Sequence, residues 1–221
     1  ADLAMDYCIS NRRVPHRSID ALGRRLAHFY RRCREMPMMP EEYRARFAHN
    51  LDEIIAELAM PEYELSEPGL AAIATPMRIF LQQHPALFDG RVRDRRIIEG
   101  HGDLRAEHVY LEPEPVVVDC LEFSKELRTV DAVYDLSFLA LECERLEAPE
   151  IGAQLLAIYG AVADDIPPAE LLHYYQAYHA CSRARLALWH LKEEPYRDSP
   201  KWQIQAREWL RLALRHVKFL A

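Results

Sequence analysis

The stretch that decides how this chain is interpreted is His101-Gly102-Asp103-Leu104-Arg105-Ala106-Glu107-His108, followed a few residues later by Val116-Val117-Val118-Asp119. Residues 108–111 and 116–119 are short β-branched runs joined by Glu112-Pro113-Glu114-Pro115, a pattern that predicts a small β-hairpin. The three valines form an apolar strand that would deliver the carboxylate of Asp119 into a cleft. Asp119 is therefore a candidate metal ligand rather than a simple turn residue.

The spacing of these residues resembles the catalytic segment of the protein-kinase superfamily. In those enzymes a loop aspartate after a histidine accepts the proton of the attacking hydroxyl, a residue five positions later holds a metal ion, and a second aspartate binds Mg-ATP. The corresponding positions here are Asp103, His108 and Asp119. The HGD sequence, in place of the HRD of protein kinases, resembles the aminoglycoside phosphotransferases and related small-molecule kinases.

Two further blocks extend the resemblance. Asp119-Cys120-Leu121-Glu122-Phe123 and Asp135-Leu136-Ser137-Phe138-Leu139 resemble the DCxEF and DLxFL blocks of uncharacterised bacterial members of that family. Coverage runs from about residue 95 to 190. The resemblance implies a mainly α fold with a small β-hairpin, which is the helical C-terminal lobe of the kinase-like fold.

The periodicity of apolar residues agrees with a mainly helical chain. Helical spacing predicts helices over 19–30, 43–58 and 68–84, and again near 132–146, 150–163, 168–192 and 200–219. We interpret residues 1–98 as a helical segment that precedes the catalytic loop. Residues 99–221 then form the catalytic-loop hairpin and a C-terminal helical subdomain, and the whole is one continuous C-lobe.

Composition narrows the choice of partners and compartment. The 221 residues include 28 basic and 35 acidic side chains, a net charge of -7, which argues against a nucleic-acid partner. The sequence contains no apolar run near 20 residues and no secretory leader pattern, so no membrane association is expected. Five isolated cysteines suit a reducing cytoplasm. The oligomeric state is open.

The parts of a complete kinase that bind nucleotide phosphates are missing from the sequence. All four lysines follow the catalytic loop, so no strand lysine precedes it, and residues 1–99 contain no glycine-rich loop. We expect the chain by itself to bind ATP weakly or not at all. Two hypotheses stay open: an N-terminal lobe precedes residue 1 in a longer protein, or the chain is a catalytically degenerate scaffold or binding module.

The resemblance implies a role for each site residue. Asp103 would be the general base, with a turn-capping aspartate as the alternative, and the cofactor would be ATP with Mg or Mn. Asp119 and His108 would hold the metal. Because Mg prefers oxygen ligands, an imidazole ligand would suit Mn better. The alternative for His108 is a hydrogen bond to the loop backbone.

The remaining candidates would support this site. His101, Asp131 and Asp135 would brace the loop. Glu122 and Arg105 would lie around the metal ligands, with a solvated acid as the alternative for Glu122. The acceptor would be a small hydroxylated molecule, bound against a helical wall from residues 133–192.

Overall fold

A computed structural model describes residues 2–196 and 199–220 of the chain. Within this part the fold is mainly helical and contains two antiparallel sheets of two strands each. The helices are α1 Met5–Ser10, α2 His16–Arg32, α3 Pro40–Leu58, α4 Glu67–Gln83, α5 Pro85–Arg93, α6 Lys125–Arg128, α7 Ala132–Arg145, α8 Pro149–Ala163, α9 Ala169–Trp189 and α10 Pro200–His216. The strands are β1 Ile97–Glu99, β2 Val109–Tyr110, β3 Val116–Val117 and β4 Thr129–Asp131.

The fold class predicted from the sequence is confirmed at the level of a mainly α chain with a small hairpin. The seven predicted helices correspond to α2, α3, α4 and α7 to α10. The predicted hairpin is the β2–β3 pair, in which Val109 faces Val117 and Tyr110 faces Val116. Helices α1, α5 and α6 are additions that the periodicity did not indicate, because the three are short.

A second sheet, β1 with β4, was not predicted. Ile97 pairs with Asp131, Ile98 with Val130 and Glu99 with Thr129 in antiparallel register. Each strand has only three residues, and about thirty residues separate them, so the sequence carries no local hairpin signal. This sheet matters for the site because β1 leads directly into the loop at Gly100 while β4 leads directly into α7.

The chain divides into two compact units that alternate along the sequence. The first contains residues 1–38 and 91–168, and the second contains residues 39–90 and 169–221. The boundary at residue 98 was inferred from the position of the loop motif in the sequence. The two units, in contrast, are defined by which segments pack together.

The core of the first unit is built by α2 and α7, both of which pack on α8. Two glycines allow this close approach. A Cβ added at Gly23 of α2 would lie 2.7 Å from a methyl carbon of Ile158, and one added at Gly152 of α8 would lie 2.8 Å from the Cα of Ala140. Larger side chains at these positions would force the helices apart.

The second unit is held together by aromatic side chains. Phe47 of α3 lies against Tyr175 and Tyr178 of α9, with ring centroids 5.6 Å and 5.0 Å away. Phe80 of α4 stacks on Tyr174 at 5.6 Å. These rings are buried and give α3, α4 and α9 a common core. None of the helices among the described residues has the length and apolar character needed to cross a membrane.

Candidate functional site

The loop that follows β1 is tied to the first turn of α7 by Asp135. Its carboxylate is buried and accepts hydrogen bonds from the backbone N–H groups of His101, at 2.7 Å, and Gly102, at 3.0 Å. The hydroxyl of Tyr30 donates to the same carboxylate at 3.4 Å. The β1–β4 pairing brings these two segments together, and the hydrogen bonds then fix the direction of the backbone ahead of Asp103.

Gly102 explains why this loop has the sequence HGD. Its φ is +85°, a conformation that residues with a side chain rarely adopt. A Cβ at this position would also lie 2.8 Å from the carbonyl oxygen of Leu127, which is backbone and cannot rotate away. The loop therefore requires glycine between His101 and Asp103.

His101 joins the loop to the hairpin through both of its ring nitrogens. Nδ1 accepts the backbone N–H of Asp103 at 3.3 Å, so the ring proton is on Nε2, which donates to the carbonyl oxygen of Val118 at 2.9 Å. Burial lowers the pKa of His101 below its ordinary value, which keeps the ring neutral at pH 7. The imidazole thus holds the strand before Asp119 against the loop that carries Asp103.

His108 has the opposite arrangement of its ring nitrogens. Nδ1 donates to the carbonyl oxygen of Asp103 at 2.9 Å, and this contact orients the ring. Nε2 then points to the other side, where it lies 3.4 Å from Oδ2 of Asp119. One orientation of the His108 ring therefore permits both roles considered for it, a hydrogen bond to the loop backbone and a metal ligand. Nδ1 bonds the backbone, and Nε2 is directed at Asp119.

The donor pair of His108 and Asp119 is compatible with a divalent metal ion. In an octahedral site with metal–ligand distances of roughly 2.1 Å, neighbouring ligand atoms lie about 3 Å apart, close to the separation of these two atoms. Within the described ranges, no group of three or more His, Cys, Asp and Glu side chains is arranged to hold a metal. An ion bound here would take its remaining ligands from water and from a phosphate-bearing ligand.

Asp119 and Asp103, the candidate metal ligand and the candidate base, both have solvent-accessible side chains. Asp119 has a φ of +64°, and its side chain is 75% exposed. Backbone in this region is costly for a residue with a side chain and is concentrated at functional sites. The carboxylate of Asp103 is only half-buried and accepts no hydrogen bond from the residues the structure describes. It is therefore free to accept a proton from a ligand.

Asp131 lies deeper, in a buried ion-pair network. Two nitrogens of Arg91 donate to it at 2.6 Å and 2.7 Å, and it also caps α7 by accepting the N–H of Val133. Arg91 donates as well to Asp165, at 2.8 Å, and Tyr159 donates to the same carboxylate at 2.6 Å. Burial alone would raise the pKa of Asp165, but hydrogen bonds from Arg91 hold it below its ordinary value.

Arg91 and Asp165 were not found from the sequence because they stand 40 and 34 residues from Asp131 in the chain. Arg105 and Glu122 differ in how close they lie to His108: the carboxylate of Glu107, which Arg105 contacts, is 3.8 Å from Nε2 of His108. Arg105 forms an ion pair with Glu107, and Glu122 is exposed, with no hydrogen bond or ion pair to the described residues.

A cavity of about 930 Å³ opens beside the loop and the hairpin, entirely within the first unit. Its walls are one face of α2, the residues that join β1 to the loop, and the strand before Asp119. His28 and His101 line it. So do five arginines: Arg24, Arg25, Arg32, Arg34 and Arg128. This cavity could not be predicted from the sequence, because an arginine-rich face of an amphipathic helix has the pattern of an ordinary solvated surface.

Comparison with known proteins gives relatives without an assigned activity. Uncharacterised proteins of Mycobacterium tuberculosis and Mycobacterium bovis are 33% identical to this chain over 172 residues. The match covers 76% of this chain but 34% of each relative, so the chain spans about a third of the length of the curated relatives it matches. No family model matches the chain, and no solved structure matches it.

Proposed function

We propose that this chain is the helical C-terminal lobe of an ATP-dependent phosphotransferase, similar to the aminoglycoside phosphotransferases, that acts on a hydroxyl of a small molecule. One observation carries the proposal. Asp135 and His101 together fix the loop of Asp103 against Val118, the residue before Asp119, so a candidate base and a candidate metal ligand are held on one support. Phosphoryl transfer needs both groups at the same phosphate.

Asp103 has the chemistry of the general base in this proposal. Its free carboxylate would accept the proton of the acceptor hydroxyl as that oxygen forms a bond to the γ-phosphorus of ATP. The bond between the γ-phosphorus and the β–γ bridging oxygen would break at the same time, and ADP would leave with the electron pair of that bond. His101 and Asp135 would be positioning residues, because their hydrogen bonds fix the backbone of the loop that carries Asp103.

His108 and Asp119 would hold the metal ion. The ion would neutralise charge on the transferred phosphoryl group. His108 keeps Nε2 available for this purpose because Nδ1 is committed to the carbonyl oxygen of Asp103. A nitrogen ligand favours Mn over Mg, which is the harder ion.

The proposal is tested by following the γ-phosphate of labelled ATP in the full-length protein with a panel of hydroxylated acceptors. Asp119→Asn should reduce transfer and weaken metal-nucleotide binding. Asp52→Asn is the matched control, since Asp52 is an exposed aspartate whose partner is Arg78, and this variant should keep full transfer. No labelled product with any acceptor, or equal losses in both variants, would refute the assignment.

A second candidate function is a kinase-like lobe that has lost catalysis and serves as a binding module. The position of all four lysines after the catalytic loop supports it. This alternative predicts that the full-length protein neither binds Mg-ATP nor transfers its γ-phosphate. Calorimetric titration of the full-length protein with Mg-ATP separates the two functions, because only the enzyme should show saturable binding.

A further inference from the structure

We propose that the arginine-lined cavity binds the anionic group, a phosphate or a carboxylate, of the small molecule that accepts the phosphoryl group. This inference rests on the proposed function, and it adds the chemical class of the acceptor. A negatively charged hydroxyl compound would enter the cavity with its anion toward α2 and its hydroxyl toward the loop.

The cavity is lined by more basic than acidic side chains. Two of its arginines are already neutralised: Arg24 pairs with Asp20 at 2.9 Å, and Arg128 pairs with Glu99 at 2.7 Å. The hydrogen bond from Arg128 lowers the pKa of Glu99, so that acid remains ionised and engaged.

The cavity's other three arginines, Arg25, Arg32 and Arg34, form no ion pair with any carboxylate in the described ranges. The acids that line the cavity are Asp119 and Glu99, and Glu99 is already paired with Arg128. The cavity therefore carries an excess of positive charge.

This excess runs against the composition of the chain. The sequence has seven more acidic than basic residues, so a cluster of unpaired guanidinium groups around one cavity is a local reversal of sign. Arg25 and Arg32 are seven residues apart on α2 and therefore lie on one face of the helix. Such clusters attract anions, and the planar guanidinium group matches the geometry of phosphate and carboxylate.

The cavity also offers an apolar wall for the carbon skeleton of a ligand. Val116, Val118 and Phe29 line it, and each is at least one third exposed. The volume of about 930 Å³ is within the range of sites that hold small organic molecules. A charged end, an apolar wall and the neighbouring catalytic loop suit a small molecule that carries both an anion and a hydroxyl.

The nucleotide is a less suitable occupant of the arginine cluster. In the proposed mechanism the metal ion at His108 and Asp119 would neutralise the phosphates of ATP. Arg25, Arg32 and Arg34 would not take part in this interaction. The three arginines would then compensate a separate anion. This distinction gives the test, because an acceptor anion should bind without metal whereas nucleotide phosphates should require it.

The experiment is a titration of the 221-residue chain with inorganic phosphate in the presence of a chelator, followed by NMR of the arginine Nε–Hε groups. Malonate in place of phosphate identifies a preference for carboxylate. We expect saturable binding that weakens about tenfold in Arg25→Ala and in Arg34→Ala, as for the loss of one charged hydrogen-bonding group. Arg17→Ala is the matched control, an exposed arginine of α2 outside the cavity lining, and should leave the affinity unchanged. Circular dichroism verifies that each variant is folded.

The proposal would be overturned by the absence of saturable binding of either anion or by an equal loss in Arg17→Ala. It would also be overturned if binding required Mn or was weakened by Asp119→Asn. The last result would assign the cavity to nucleotide phosphates. Because the titration contains no nucleotide, the anion site is judged separately from phosphoryl transfer. In the full-length protein, Arg25→Ala should raise the KM for the acceptor and leave the KM for ATP unchanged; a rise in the KM for ATP alone would also contradict the proposal.

Discussion

Oδ2 of Asp135 lies 2.7 Å from the backbone nitrogen of His101, although 34 residues separate the two in the sequence. This contact joins the first turn of α7 to the loop that carries Asp103, and the neighbouring N–H of Gly102 strengthens it. The position of the candidate base therefore depends on a carboxylate that is itself fully buried. Predictions for this contact can be tested separately from those for chemistry.

Replacing Asp135 with asparagine should loosen the loop. Both carboxylate oxygens accept N–H groups, but an asparagine would turn its NH₂ toward one of these donors and leave that donor unsatisfied. We expect a loss of about 1–3 kcal/mol in the free energy of unfolding, measured with urea. Asp20→Asn, at an exposed aspartate that pairs with Arg24, should cost less than about 1 kcal/mol. Equal costs would mean that Asp135 does not brace the loop.

Asp135 should also make stability depend on pH. Burial raises its pKa to about 7, although the N–H groups of His101 and Gly102 act in the other direction. Since the folded state then holds the proton more tightly than the unfolded state, this contribution is fully present below about pH 4 and is lost as pH rises through 7. The advantage of wild type over Asp135→Asn should shrink across that window, by up to about 1.4 kcal/mol per pH unit. A difference that stays constant from pH 4 to 8 would exclude the raised pKa.

Gly102 and Gly90 form a matched pair for testing the loop conformation. Gly102→Ala places a Cβ against the carbonyl oxygen of Leu127 at a φ of +85°, so a loss of about 1–3 kcal/mol is expected. Gly90 lies inside α5, where an added Cβ meets no atom within 4 Å, and Gly90→Ala should stabilise by roughly 0.5–1 kcal/mol. Thermal unfolding should show a lower Tm for Gly102→Ala and a higher Tm for Gly90→Ala than for the wild type. A neutral Gly102→Ala would show that the loop can adopt another path.

Arg91 is expected to be the most costly single charge to remove from the first unit. Arg91→Met would leave the buried carboxylates of Asp131 and Asp165 without their shared partner, at a cost of about 3–5 kcal/mol in urea unfolding. Arg95→Met is the control, because Arg95 is exposed and lies 3.7 Å from Glu35; it should cost less than about 1 kcal/mol. Similar values for both variants would contradict a structural role for the network.

If His108 is a metal ligand as proposed, it should set the metal preference. His108→Asn replaces the nitrogen ligand by an amide oxygen, which is the harder donor, so the ratio of turnover with Mn to turnover with Mg should fall. The ratio is measured in the full-length protein with each ion at saturation. His49→Asn, at an exposed histidine beside Glu53, should leave it unchanged. An unchanged ratio in His108→Asn would restrict His108 to its hydrogen bond with the backbone of Asp103.

The sequence predicted those parts of the molecule whose signal is local. Helical periodicity located α2, α3, α4 and the four long helices after the hairpin, and two short β-branched runs located β2 and β3. The sequence blocks marked Asp103, His108, Asp119 and Asp135 as one group, and the structure places the loop of Asp103, the ring of His108 and the side chain of Asp119 next to one another.

The rest depended on contacts between distant segments. The β1–β4 sheet joins residues about thirty positions apart, and Arg91 reaches acids 40 and 74 residues away. The arginine-lined cavity was missed for another reason: Arg25 and Arg32 have the spacing of a solvated helix face, and only the fold shows that Val116, Val118 and Leu104 stand opposite them.

The most direct test of the central claim is single-turnover transfer of the γ-phosphate of ATP by the full-length protein, compared between wild type and Asp103→Asn. If Asp103 is the general base, the variant should transfer roughly a hundredfold to ten-thousandfold more slowly. It should still bind Mg-ATP with nearly the wild-type affinity, because the base acts on the acceptor hydroxyl. A folded Asp103→Asn protein that transfers phosphate at close to the wild-type rate would contradict the account, and so would a variant that has lost nucleotide affinity along with turnover.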